Sequence, residues 1–102
     1  MVVTISGRHL EITPALRQHA QERAEKLPKY YDLINAVEIV LEASSGKQNR
    51  AEIIVSAEHR DTFVAHHDGD DLYGCIDQAF HKIQQQIVEH KKRFRNRKHS
   101  GE

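Results

Sequence analysis

The chain has 102 residues, 38% of them hydrophobic, with 15 cations, 15 anions and a formal net charge of zero. That size allows one two-layer core and not two, so a single domain is expected. No apolar run approaches the roughly 20 residues needed to cross a bilayer, and Met1-Val2-Val3-Thr4 lacks the basic and apolar regions of a signal peptide; both predict a soluble, cytoplasmic protein with no membrane partner.

Val3 and Ile5 alternate with Thr4 and Ser6 before Gly7, the period of a first strand with one buried face. Ile12-Thr13-Pro14 then supplies an N-cap threonine, a proline at the first helical position and an apolar residue ahead of the cap. Leu16, Ala20, Ala24 and Leu27 follow at helical spacing, and Pro28 ends the helix at Leu27 or tightens it into a turn carrying Tyr30 and Tyr31. Val37, Ile39 and Leu41 alternate with Glu38, Val40 and Glu42 in a second strand, Ser44-Ser45-Gly46-Lys47 turns, and Ala51, Ile53, Val55 and Ala57 alternate with Arg50, Glu52, Ile54 and Ser56 in a third. After a turn around His59-Arg60-Asp61, Phe63 and Ala65 begin a fourth strand. Asp68-Gly69-Asp70-Asp71 offers caps and negative charge where a helix dipole is positive, and Leu72, Ile76, Phe80, Ile83 and Ile87 continue at helical spacing.

The expected class is α+β in the order β-α-β-β-β-α: a four-stranded mixed sheet with both helices on the face carrying Val3, Val37, Ile53 and Phe63. Residues 1–96 should form the domain and 97–102 a basic, flexible tail. Cys75 cannot make an internal disulfide, suits a reducing compartment and is expected as a small buried hydrophobe.

The zero net charge hides an asymmetry. Residues 1–90 hold nine cations against fourteen anions, whereas residues 91–102 hold six cations against one anion. A basic end on an acidic body suits a polyanionic partner, although a charge run at a terminus is also what a solvated end looks like. A second helix over about 71–96 would run roughly 40 Å at about 1.5 Å per residue, against about 23 Å for a seven-residue strand. Its end should overhang the sheet, presenting Lys91, Lys92, Arg93 and Arg95 in several directions.

Gly7-Arg8-His9-Leu10-Glu11-Ile12-Thr13-Pro14-Ala15-Leu16-Arg17, then Lys26-Leu27 with Lys29-Tyr30-Tyr31, Asp71-Leu72-Tyr73 with Ile76-Asp77, Lys82-Ile83 and His90-Lys91 come in an order that, nearly end to end, resembles the bacterial hibernation-promoting factors and the related ribosome-associated inhibitor. The resemblance implies a protein that sits in the small ribosomal subunit's channel for messenger and transfer RNA, touches ribosomal RNA with cations, and so keeps idle ribosomes intact and inactive. It implies binding rather than catalysis. Arg23, Lys26, Lys29, Lys82 and Lys91 stand where the family usually carries basic residues, and Lys92, Arg93 and Arg95 join them on charge and overhang. Two departures matter. Gln84-Gln85-Gln86 and Val88-Glu89 replace cations that the family often has in mid-helix, and the sequence stops soon after the helix, as in the short form without the domain that pairs ribosomes.

Other chemistries find little support. His66 and His67 are adjacent on a strand and point to opposite faces, and no two histidines lie three or four apart on a helix, so no metal is expected. There is no Gly-rich phosphate loop and no nucleophile beside a base, so no enzyme, cofactor or small-molecule substrate is expected. Tyr30, Tyr31 and Tyr73 are read as packing residues. Glu38, Val40, Glu42, Glu52, Ile54 and Val64 are read as an outer sheet face without aromatics or cations, unsuited to stacking bases in the manner of an RRM. Two other functions stay open: a general double-stranded-RNA module, and a protein-interaction module using the acidic sheet face, to which an older reading of the family as a sigma-factor modulator belongs.

Overall fold

The computed structural model describes residues 1–44 and 48–100; the side chains of residue 60 and of residues 94–100 are outside the description. The chain runs β1 (Val2–Arg8), α1 (Pro14–Glu25), a 3-10 turn (Leu27–Lys29), β2 (Ile34–Ala43), β3 (Asn49–Ala57), a second 3-10 turn (Glu58–Arg60), β4 (Thr62–Gly69) and α2 (Leu72–Ser100). The strands lie in the order β1-β2-β3-β4, with β1 parallel to β2 and the other pairs antiparallel. This is the expected α+β arrangement.

Register turns the alternation of each strand into rows across the sheet. Val3, Val37, Val55 and Phe63 form one row, and Ile5, Ile39, Ile53 and Ala65 the next. These rows face the helices. Leu16, Ala20 and Ala24 of α1 and Ile76, Ala79, Phe80, Ile83 and Ile87 of α2 close over them as one core that also takes in Cys75. Each fully buried isoleucine adds about 1.5–3 kcal/mol of transfer free energy. A third row, Gly7, Leu41, Ala51 and His67, is small at its β1 end because the chain doubles back there. A Cβ on Gly7 would collide with the Leu10 carbonyl oxygen, so only glycine fits without moving backbone.

The helix starts follow their capping residues. The Thr13 hydroxyl accepts from the Leu16 N–H at 3.2 Å with Pro14 beginning α1, and the Asp71 carboxylate accepts from the Tyr73 N–H at 3.2 Å ahead of α2. Pro28 sits inside the 3-10 turn that replaces a further turn of α1. Helix α2 stays helical to Ser100 rather than ending near 96. Among the described residues Ile87 is its last fully buried side chain, and Lys91, Lys92 and Arg93 are exposed, so this part of the basic end does project past the core.

The outer face differs from the expectation in one respect. A row of Arg8, Glu42, Arg50 and Asp68 crosses all four strands, so two arginines do lie on this face. Arg50 approaches Asp68 at 3.9 Å and Glu52 at 4.0 Å, within a row that alternates in sign and cancels its own charge. The outward residues of the four strands still include no phenylalanine, tyrosine or tryptophan.

Candidate nucleic-acid interface

Both long helices point their C-termini toward the same end of the sheet. Helix α1 runs into the 3-10 turn at that end, and Lys91 of α2 donates from Nζ to the Tyr30 carbonyl oxygen at 2.7 Å. A helix C-terminus carries partial negative charge, which cations placed beside it offset. Lys26 caps the 3-10 turn, Lys29 lies within it, and Lys91 reaches the residue next to Lys29. The fold thereby joins basic residues that are about sixty positions apart in sequence.

The eight cations selected from sequence fall into three groups. Lys26, Lys29, Lys92 and Arg93 are exposed and make no ion pair or side-chain hydrogen bond among the described residues. Arg23, Lys82 and Lys91 are engaged within the molecule. The Arg23 Nε lies 3.2 Å from Asp77 Oδ1, an ionic contact rather than a directed hydrogen bond, and its terminal nitrogen donates to the Asp77 carbonyl oxygen at 3.4 Å. The same Oδ1 meets His19 Nε2 at 2.8 Å, so Asp77 pins α1 to α2. Lys82 donates to the His66 carbonyl oxygen at 2.8 Å, beside a matching bond from the Gln86 amide to the Val64 carbonyl oxygen, also 2.8 Å. Together they occupy two outward carbonyls of the edge strand β4. Arg95 belongs to the third group, its side chain lying outside the described residues.

Sequence reasoning missed what holds the end of α2. The His90 ring packs edge-to-face with Phe63 of β4 at 5.4 Å and with Tyr31 at 6.0 Å, those two rings meet at 6.2 Å, and His90 Nε2 lies 3.0 Å from Asp61 Oδ2. Four residues from three parts of the chain converge there, and no local period brings them together. Along α2 from this cluster, Lys82, Gln85, Gln86, Glu89 and Arg93 line one flank of a shallow groove of about 520 Å³ floored by Phe63. Its amides and cations suit polar ligands.

Burial raises the Tyr31 hydroxyl above its ordinary value of 10.0, helped by Asp61, Asp32 and Glu58. Burial likewise raises the Cys75 thiol above 9.0, with Asp68, Asp71 and Asp70 adding to the effect. This is the opposite of an activated thiolate. His66 pairs with Glu52 on the outer face while His67 pairs with Ala51 on the inner one, as their adjacency requires. Among the described residues no helix is long and apolar enough to cross a membrane. What the arrangement offers is a projecting, positively charged helix end with a second basic turn beside it.

A ribosome hibernation promoting factor of Klebsiella oxytoca is 33% identical over 103 residues, covering 93% of this chain and 98% of that protein. Among solved structures, the N-terminal domain of Protein Y from Thermus thermophilus superposes with a TM-score of 0.79 at 30% identity, covering 88% of this chain and 99% of that one. A ribosomal subunit interface protein from Coxiella burnetii shares the fold, with a TM-score of 0.82 at 23% identity over 90% and 99% of the two chains. Residues 3–95 match the family model described as Sigma 54 modulation protein / S30EA ribosomal protein, and with its basic end, its β-α-β-β-β-α order and this coverage the chain belongs to that family.

Proposed function

We propose that the protein binds the small ribosomal subunit in the channel for messenger and transfer RNA, inhibits translation and keeps idle ribosomes in hibernation. The observation that carries this reading is the likeness, over 98% of its length, to a relative named ribosome hibernation promoting factor. The charge distribution supplies the means: exposed Lys26, Lys29, Lys92 and Arg93 meet phosphates, and the acidic sheet face turns away from RNA. Arg23, Lys82 and Lys91 reach RNA only with donors left over from their internal contacts. Arg95 extends the same basic helix. Residues 1–96 serve as the ribosome-binding domain and 97–102 as a basic tail. The site acts by occupancy in the cytoplasm, and no bond is made or broken.

Co-sedimentation with small subunits and intact ribosomes across a salt series, with translation measured in parallel, tests this. Stoichiometric binding that weakens with salt and tracks inhibition is the expected result. Absence of binding at low salt, or equal affinity for a plain RNA duplex, would overturn it.

A further inference from the structure

We infer that His90 is a positioning residue, clamping the turn of α2 that follows Ile87 so that Lys91, Lys92 and Arg93 are held in a fixed place for RNA. The inference rests on the RNA-binding reading above and goes further, to what organises that site. His90 is the last described residue of α2 whose side chain is only part exposed; those of Lys91, Lys92 and Arg93 are all exposed. Three residues from two stretches of chain grip it: Tyr31 from the loop after α1, and Asp61 with Phe63 at the start of β4. Immediately beyond it, Lys91 hydrogen-bonds the Tyr30 carbonyl oxygen, next to the ring that packs on His90. The buried stripe that ends among the described side chains at Ile83 and Ile87 anchors the body of the helix to the core, but it stops three residues short of His90 and leaves the turn beyond it free to fray. His90 extends the packed contact by that further turn, with Lys91 beside it, and thereby fixes the projecting end relative to Lys26 and Lys29.

The geometry serves binding through entropy. Cations already held in place lose less freedom when they meet phosphates. Releasing the clamp keeps every lysine and arginine and removes only their fixed arrangement. Affinity should therefore fall while its salt dependence, which counts neutralised phosphates, stays the same.

The test compares His90→Ala, His90→Phe and the core control Ile83→Val by amide exchange and by small-subunit binding. In His90→Ala, residues 88–93 should exchange about tenfold faster and residues 76–83 at the original rate, and affinity should drop about tenfold with an unchanged salt slope. His90→Phe keeps the ring packing and should recover most of the protection and affinity. Ile83→Val lowers overall stability and should leave affinity unmoved. Unchanged protection at 88–93 in His90→Ala, unchanged affinity, or an equal loss in Ile83→Val would overturn the inference. Should the unmodified protein fail to bind ribosomes, the functional reading falls by itself, and the exchange profile still decides whether His90 holds the helix end.

Discussion

Replacing both Lys92 and Arg93 by glutamine removes two positive charges that the fold does not use. Both side chains are exposed, neither has an ion-pair partner among the described residues, and both lie beyond Ile87, the last of the described residues of α2 to be fully buried. They also sit more than one turn before the helix end at Ser100, where the helix dipole adds little. Stability should therefore shift by no more than about 0.5 kcal/mol, the usual range for such surface changes. Binding is another matter. Each phosphate contact contributes about 0.7 (single-stranded) to 0.9 (duplex) to the slope of log K against log salt. Losing two contacts flattens that slope by about 1.4 to 1.8. Relative to a 1 M reference, affinity at 0.15 M salt falls about 15- to 30-fold, or about 2 kcal/mol. The assay is co-sedimentation or fluorescence titration with small subunits from 50 to 300 mM salt, with thermal unfolding as the control. An unchanged slope and affinity would refute the assignment of these two cations, and a weaker affinity with an unchanged slope would mean that they act through something other than phosphate.

Removing the Asp77 carboxylate with Asp77→Ala should lower stability by about 1 kcal/mol, since His19 and Arg23 lose a shared but partly exposed partner, and the midpoint of thermal unfolding should drop by about 4–8 °C. Shortening Ile83, which is fully buried between α2 and the sheet, with Ile83→Ala should cost about 2–5 kcal/mol, read by urea unfolding. Mutating Lys82 and Gln86 together to alanine should bare the Val64 and His66 carbonyls on β4 and raise self-association at high concentration, measured by analytical ultracentrifugation. Alkali should destabilise the fold from about pH 9 upward. The Cys75 thiol is raised above its ordinary 9.0, so the unfolded chain loses that proton first, and stability that is complete below pH 9 declines as pH climbs toward the folded value. Cys75→Ala should be less stable overall but show a shallower decline between pH 9 and 10, before Tyr31 begins to contribute.

The parts legible in the sequence were those set by interactions within a few residues. Thr13 and Asp71 cap the helices that follow them because a side-chain oxygen two or three residues from an unpaired N–H finds it in any fold. Alternation assigned Val37, Ile39, Ile53 and Val55 to the buried face because successive strand residues must point opposite ways. The projecting basic end followed from length, since a helix of that many residues outruns a strand of seven to ten. The same alternation places Arg50 on the outer face, but its neutralisation by Asp68 across the strand pair came only with the register.

Which cations remain free for a partner was decided by tertiary structure alone. Arg23, Lys82 and Lys91 look equivalent to Lys26, Lys29 and Lys92 along the chain, yet the first three meet partners 54, 16 and 61 positions away. The grip of Tyr31, Asp61 and Phe63 on His90 is likewise a product of assembly, joining segments that share no period and no local signal. Sequence by itself determined the elements, their faces and the overall charge asymmetry, because caps, side-chain alternation and chain length act locally. Tertiary structure determined the partners of individual side chains, because a hydrogen bond or ion pair depends on distances of about 3 Å that only the packed chain defines.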